Sequence, residues 1–256
     1  MKSNTFFVVA WLWLMASVAL VVLPLVGFDA QSRLYYSNAA MLVTSTLAGL
    51  ICISSGLGMP KGSPLRMGWV LVGIGITAWA VGQGLFSVYP LLNDGADTPY
   101  PYYSDIGFLL SPPLVGGGLL LFYRSAGLET PVWGKGFALF ATMVAAYWCY
   151  GANAEGYFSA KGGLTLTLAS LGYTVLDPLL LGLTIVVASS FKGGTMMGRA
   201  WWTVVAGILI VIAGNQLWSY LVLIEVYQTG SVIDFAWPVG FGLIALSAWL
   251  MRESVH

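Results

Sequence analysis

One acid in this chain stands apart from the other nine. Asp177 is about the fourteenth of the 27 residues in the apolar run Leu164–Ser190, and Pro178 follows it directly. A carboxylate at the centre of a bilayer costs about 2.5 kcal/mol or more on insertion scales, so a retained one marks a proton site, a ligand-orienting group or a hydrogen-bonded helix contact. Pro178 removes a backbone donor and biases residue 177 away from ideal helix, which frees carbonyls for a proton, a water or a ligand. No Lys or Arg falls deep inside an apolar run, Lys135 being only the third residue of Trp133–Ala152. The expected partners of Asp177 are therefore Asn, Gln or Tyr groups from neighbouring helices, or a proton of its own. A sensing carboxyl and a neutral acid that locks helix packing both fit this pattern.

Three amides and two further acids complete the polar set. Gln83 and the pair Asn215 and Gln216 fall toward the same ends of two apolar runs, where they either line a cleft or bond helix to helix, the second being the commoner use. Asp105 and Asp234 each open an apolar run, a position that favours capping of free helix amides. Tyr89, Tyr100, Tyr102, Tyr103, Tyr227 and Trp237 share one level. An interfacial aromatic belt is favoured there over a ligand cage. Pro112-Pro113 followed by Gly116-Gly117-Gly118 predicts close helix packing around a bend.

Absences narrow the chemistry further. The only histidine is His256, and no P-loop, GxSxG elbow, HExxH or dinucleotide fingerprint occurs. Intramembrane haem, chlorophyll or metal held by histidine is disfavoured, as is a retinal Schiff base for want of a lysine deep within a span. Cys52 and Cys149 fall within apolar runs toward opposite faces, which argues against a disulfide or a cysteine metal site. The cofactor is unknown, no metal site is expected, and the chain reads as non-enzymatic. Zero net charge gives no sign of nucleic-acid binding.

The elements that position these groups follow from composition. At 58% hydrophobic and 8% charged, the chain has more apolar surface than one water-soluble core could bury, so a lipid bilayer is the expected solvent. Crossing the hydrocarbon takes roughly 20 apolar residues in a helix. Eight such runs are legible: Phe6–Phe28, Ala39–Met59, Met67–Tyr89, Ser104–Tyr123, Trp133–Ala152, Leu164–Ser190, Ala200–Ile224 and Phe235–Met251. They are continuous rather than alternating, which excludes a β-barrel. The first is too long for a cleaved secretory signal and is expected to be retained. The fold class is all-α, a polytopic membrane bundle forming one domain over residues 1–256.

Charge orients the bundle. With a cytoplasmic amino terminus, Lys2, Lys61, Arg66, Arg124, Lys135, Lys192, Arg199 and Arg252 face the cytoplasm, against Arg33 and Lys161 outside. That bias leads to the expectation that both termini lie on the cytoplasmic side of the membrane. A shift of 133 residues pairs Arg66 with Arg199, Trp69 with Trp202 and Gln83 with Gln216. With a shorter loop in the second copy, Asp105 pairs with Asp234 and Arg124 with Arg252. The expectation is a 4+4 parallel internal repeat, with halves of approximately 1–132 and 133–256, related by an axis along the membrane normal. Asp177 then matches Thr44, so any chemistry there is asymmetric.

The stretch Pro101-Tyr-Tyr-Ser-Asp-Ile-Gly-Phe-Leu-Leu-Ser-Pro-Pro113, the motif Tyr173-Thr-Val-Leu-Asp-Pro178 and the motif Asp234-Phe-Ala-Trp-Pro238 resemble the membrane-embedded input domains of bacterial signalling proteins. Such domains precede GGDEF, EAL or histidine-kinase modules. The resemblance implies a sensory role, with Asp105, Asp177 and Asp234 at recurring acidic positions, and no particular ligand. An output module is expected after the last run, whereas the sequence ends five residues beyond Met251. A separate protein partner is therefore expected to carry the signal. Two other roles remain open, an accessory subunit of a larger membrane complex and a small transporter using Asp177 as its proton or cation site.

Overall fold

A computed structural model describes residues 3–125, 129–158, 163–191 and 196–255. Lys2, Lys161, Lys192 and His256 lie outside the described residues. The helices are α1 (Ser3–Leu25), α2 (Ala30–Leu57), α3 (Pro64–Leu92), α4 (Ser104–Ser125), α5 (Val132–Ala152), the short α6 (Ala154–Phe158), α7 (Gly163–Ser189), α8 (Met196–Leu223) and α9 (Ala236–Val255), with a 3-10 turn at Val232–Phe235 before α9. Among the described residues there is no strand, as the continuous apolar runs predict.

Several helices outrun the apolar segments that announce them. α2 starts nine residues before Ala39 because Asp29 caps it, its carboxylate accepting from the Ser32 amide at 2.8 Å. α3 starts at Pro64, a residue suited to the first helical turn where its missing N–H goes unused. Arg33 thereby becomes a helical residue, and its guanidinium reaches the Gly230 carbonyl at 3.5 Å.

Among the described residues seven helices are long and apolar enough to cross a membrane, against the eight expected from sequence. The exception is α5, whose 21 residues include Lys135, Tyr147, Trp148 and Tyr150. It nevertheless runs antiparallel to α7 along its whole length. Gly134 abuts Ser189 at one end, Gly182 abuts Thr142 in the middle, and Gly156, just beyond α5, abuts Ser170 at the other. α5 thus covers the same depth as a spanning helix while leaning on it. The chain is a multi-pass helical membrane protein, with both termini at one end of the bundle, the terminal end; the opposite end is here the far end.

Six helices close a ring in the order α2, α3, α4, α7, α8, α9 and back to α2. α5 lies outside this ring against α7 and α8, and α1 lies outside it against α2 and α9. Glycines set the closest approaches. A Cβ on Gly107 of α4 would stand 2.5 Å from the Ala78 carbonyl of α3, and one on Gly240 of α9 would stand 2.8 Å from the Gly207 carbonyl of α8. Toward the terminal end the ring is filled by aromatic rings. Trp69 and Trp201 stack at 6.3 Å, with Phe122 tilted against Trp69 and edge-on to Trp201 at 5.4 and 4.9 Å.

Residues paired by the 133-residue shift do not all share surroundings. Gln83 and Gln216 are both buried, but Trp69 is buried whereas Trp202 is 39% exposed, the buried partner of Trp69 being Trp201. Arg66 donates to the Leu57 and Met59 carbonyls at the end of α2, while Arg199 is exposed.

Candidate functional site: an amide and carboxylate column inside the ring

Tyr173 and Asp177 are four residues apart on α7 and therefore lie one turn apart on one face. That face looks into the ring, and both side chains are buried. Asp177 Oδ2 accepts from Gln216 Nε2 at 2.7 Å and from Asn215 Nδ2 at 3.2 Å. Both bonds reach the same oxygen. Oδ1 accepts no hydrogen bond among the described residues, and the residue borders a cavity. The amide partners anticipated from sequence are thus α8 side chains, adjacent in the chain and both turned to one carboxyl.

The network continues outward from Asp177. Gln216 Oε1 accepts from Asn153 Nδ2 at 3.2 Å, and Asn153 Oδ1 accepts from Ser219 Oγ at 3.0 Å. Asn215 Oδ1 accepts from the Trp237 indole at 2.8 Å. Fixed on both sides, the Asn215 amide has one orientation that satisfies its neighbours. In the other half, Gln83 donates to Asn38 Oδ1 and to Ser87, each at 3.2 Å. Thr44, which pairs with Asp177 by sequence, bonds only back to its own helix, at Ala40 and Met41. The polar sites of the two halves are chemically unlike.

Asp105 and Asp234 act differently from helix caps. The amides they accept lie upstream, Tyr102 at 2.7 Å and Gly230 at 2.8 Å, and not in the helical turn that follows. Their other bonds cross the molecule. Asp105 Oδ1 accepts the Tyr173 phenol of α7 at 2.7 Å. Asp234 accepts the Ser37 hydroxyl of α2 at 2.5 Å and the Tyr227 phenol at 2.9 Å. These carboxylates, at or just before the start of α4 and α9, pin each helix to its ring neighbour from the opposite half of the chain. Burial rather than capping explains them, because a carboxylate withdrawn from water needs several donors at once.

The aromatic group divides. Tyr103 is 70% exposed, as a belt residue would be, and Tyr102 meets both Tyr89 and Tyr103 edge to edge. Tyr100, Tyr227 and Trp237 instead turn inward; Tyr100 and Tyr227 meet the buried Trp218 at 5.2 and 6.1 Å. For these three the belt reading is corrected. Their polar atoms find partners inside: Tyr100 the Ser170 hydroxyl at 3.4 Å, Tyr227 Asp234, and Trp237 Asn215. Burial pushes the Tyr100 and Tyr227 phenols above their ordinary range, the nearby carboxylates Asp105 and Asp234 adding to it.

Two small cavities lie on the ring axis, one above the other. The outer, about 30 Å³, is bordered by Gln83, Asn215, Tyr173, Tyr227, Trp79 and Trp237 among others. The inner, also about 30 Å³, is bordered by Asp177, Pro178's neighbour in the chain, with Ser111, Pro112 and Asn215. Trp79, Phe108 and Asn215 separate them, since these three border both. Each has room for a water or two. Asp177, Asn215 and Gln216 are brought together here and Gln83 borders the same column, whereas Asp105 and Asp234 reach it only through the phenols they hold. Pro178 is buried beside Asp177.

Sequence reasoning missed Asn38, Asn153, Ser37 and Trp218. Asn153 follows the last residue of α5, where it reads as a loop residue, and Ser37 lies in the part of α2 that precedes the apolar run. The spacing of Tyr173 to Asp177 was the one available signal for Tyr173. The chain matches no family model, no curated protein and no solved structure.

Proposed function

We propose that this chain is a non-enzymatic membrane sensor or ligand-binding module, resident in a cytoplasmic membrane with both termini cytoplasmic, that acts through a protein partner. The observation that carries the reading is a shared pair of phenols. Tyr173 and Tyr227 border the outer cavity, and the same two phenols bond Asp105 and Asp234, which join the halves. Whatever enters the column, a proton or a small molecule, moves groups that hold α4 against α7 and α9 against α2. A shift of the halves at the terminal end is the output a partner would read.

The test uses spin labels at Arg124→Cys and Ser254→Cys, on the terminal ends of α4 and α9, with the protein in liposomes. The distance distribution is expected to change between neutral and acidic buffer in the parent and to stay fixed in Asp177→Asn. A distribution unmoved by pH and by extract of the source membrane sinks the sensor reading.

A second reading, a proton-coupled transporter, is favoured by one observation: the carboxyl oxygen of Asp177 that accepts no bond belongs to a residue bordering the inner cavity. Proton-coupled flux in liposomes that is lost in Asp177→Asn supports it, and absence of flux in the parent rejects it.

A further inference from the structure

A cavity much larger than the two of the column lies away from them, between α1, α2 and α9. It measures about 620 Å³ and is bordered by Val9, Trp13, Ile51, Leu243, Leu246 and Trp249 among others, with Ser54, Ser55 and Arg252 at its terminal end. α1 is joined to the bundle nearer the far end. The Trp13 indole donates to the Pro238 carbonyl at 2.7 Å, and the Tyr36 phenol donates to the Ala16 carbonyl at 3.0 Å. From Trp13 toward the terminal end the groove opens between α1 and the other two helices.

Its length and charge point to one occupant. From Val239 to Arg252 the groove follows α9 over 14 residues, about 20 Å at the helical rise. One leaflet of hydrocarbon is roughly 15 Å deep, so the groove matches the reach of an acyl chain and ends where a headgroup begins. Apolar walls open to lipid gain dispersion contacts only when something apolar fills them. At the end stands the half-buried guanidinium of Arg252, beside the α2 cap at Gly58. No carboxylate pairs with it among the described residues. A cation at the mouth of an apolar groove complements a phosphate carried on a lipid chain.

We infer that this groove is a binding site for an anionic glycerophospholipid, one acyl chain lying along α9 and the phosphate against Arg252. Trp13 closes the inner end of the chain site, and the Ser54 and Ser55 hydroxyls stand at the headgroup level. The site is distinct from the central column and requires no change there.

The experiment is native mass spectrometry of the intact chain in mild detergent, titrated with phosphatidylglycerol and with phosphatidylcholine of identical acyl chains. One lipid is expected to remain bound, with about fivefold preference for phosphatidylglycerol from a single basic contact. Arg252→Gln is expected to erase the preference and Arg252→Lys to keep it. Ser54→Trp, which places a ring on an exposed wall of the groove, is expected to lose the retained lipid of either kind. Equal retention of the two lipids by the parent, an undiminished preference in Arg252→Gln, or full retention in Ser54→Trp overturns the site.

Discussion

The Tyr173 phenol donates to the Asp105 carboxylate at 2.7 Å across 68 residues of chain, and both groups are buried. This bond joins α7 to the start of α4. Its counterpart joins α2 to the turn before α9, where Ser37 donates to Asp234 at 2.5 Å. In each case an acid at the start of the fourth long helix of one half meets a hydroxyl on the second long helix of the other. The two contacts follow one plan, although the residue types differ.

Breaking these bonds is expected to loosen the ring. Tyr173→Phe and Ser37→Ala should each lower stability by about 0.6–1.7 kcal/mol, the range of interhelical hydrogen bonds measured within membranes. Unfolding in mixed micelles provides the measurement. A double-mutant cycle of Asp105→Asn with Tyr173→Phe should show coupling, and additive effects would refute the bond.

Asp177 should tolerate amide replacement better than apolar replacement. Asp177→Asn keeps an acceptor for Gln216 and Asn215. Asp177→Leu strands both donors in a buried site, at about 1–3 kcal/mol for each unsatisfied group. The same micelle unfolding experiment ranks the two variants. Equal stability of the two would mean that the amides find other partners.

Alkaline pH should destabilise the fold through the buried loop phenols. The Tyr227 phenol is raised well above 10.0 because it is buried, and the Tyr100 phenol is raised for the same reason. In the unfolded chain both titrate near that ordinary value. Their contribution is complete below it and falls as pH rises toward the folded values, since only the unfolded state has released the protons. Ultraviolet titration above that pH should show fewer phenolates in the folded protein than in the unfolded one, and Tyr227→Phe should narrow the difference. Full ionisation of every tyrosine without unfolding would contradict the burial.

Orientation can be read by thiol labelling. Cys52 and Cys149 are both free and fully buried, so the background is expected to be low. A cysteine replacing Ser254 should be protected from an impermeant maleimide in intact cells, whereas one replacing Asp94 should react. The reverse pattern would invert the proposed topology.

How much of this was legible in the residues differs by feature. Continuous apolar runs of about 20 residues announce spanning helices because a bilayer demands backbone bonds closed within each segment. Asp177 was legible because a midplane acid is costly. Helix starts such as Ala30 were not, since the capping by Asp29 extends α2 into polar sequence where hydropathy carries no signal. Tyr100 and Trp237 were misread as belt residues because an amphipathic ring at a helix end suits either an interface or a lined cavity. Only the positions of Trp218 and Asn215 decide between the two, and those are set by packing.

α1 and α5 are opposites in a way that bears on how the chain enters the membrane. The α1 span has the highest mean hydropathy of the seven, 2.4, and the smallest buried share, 11%. Lipid alone can hold it, so it can leave the translocon unaided. α5 falls outside the seven and lies along α7 through Gly134, Gly182 and Gly156. Stable insertion of α5 therefore waits for the synthesis of α7, and the two are expected to partition into the bilayer as a hairpin.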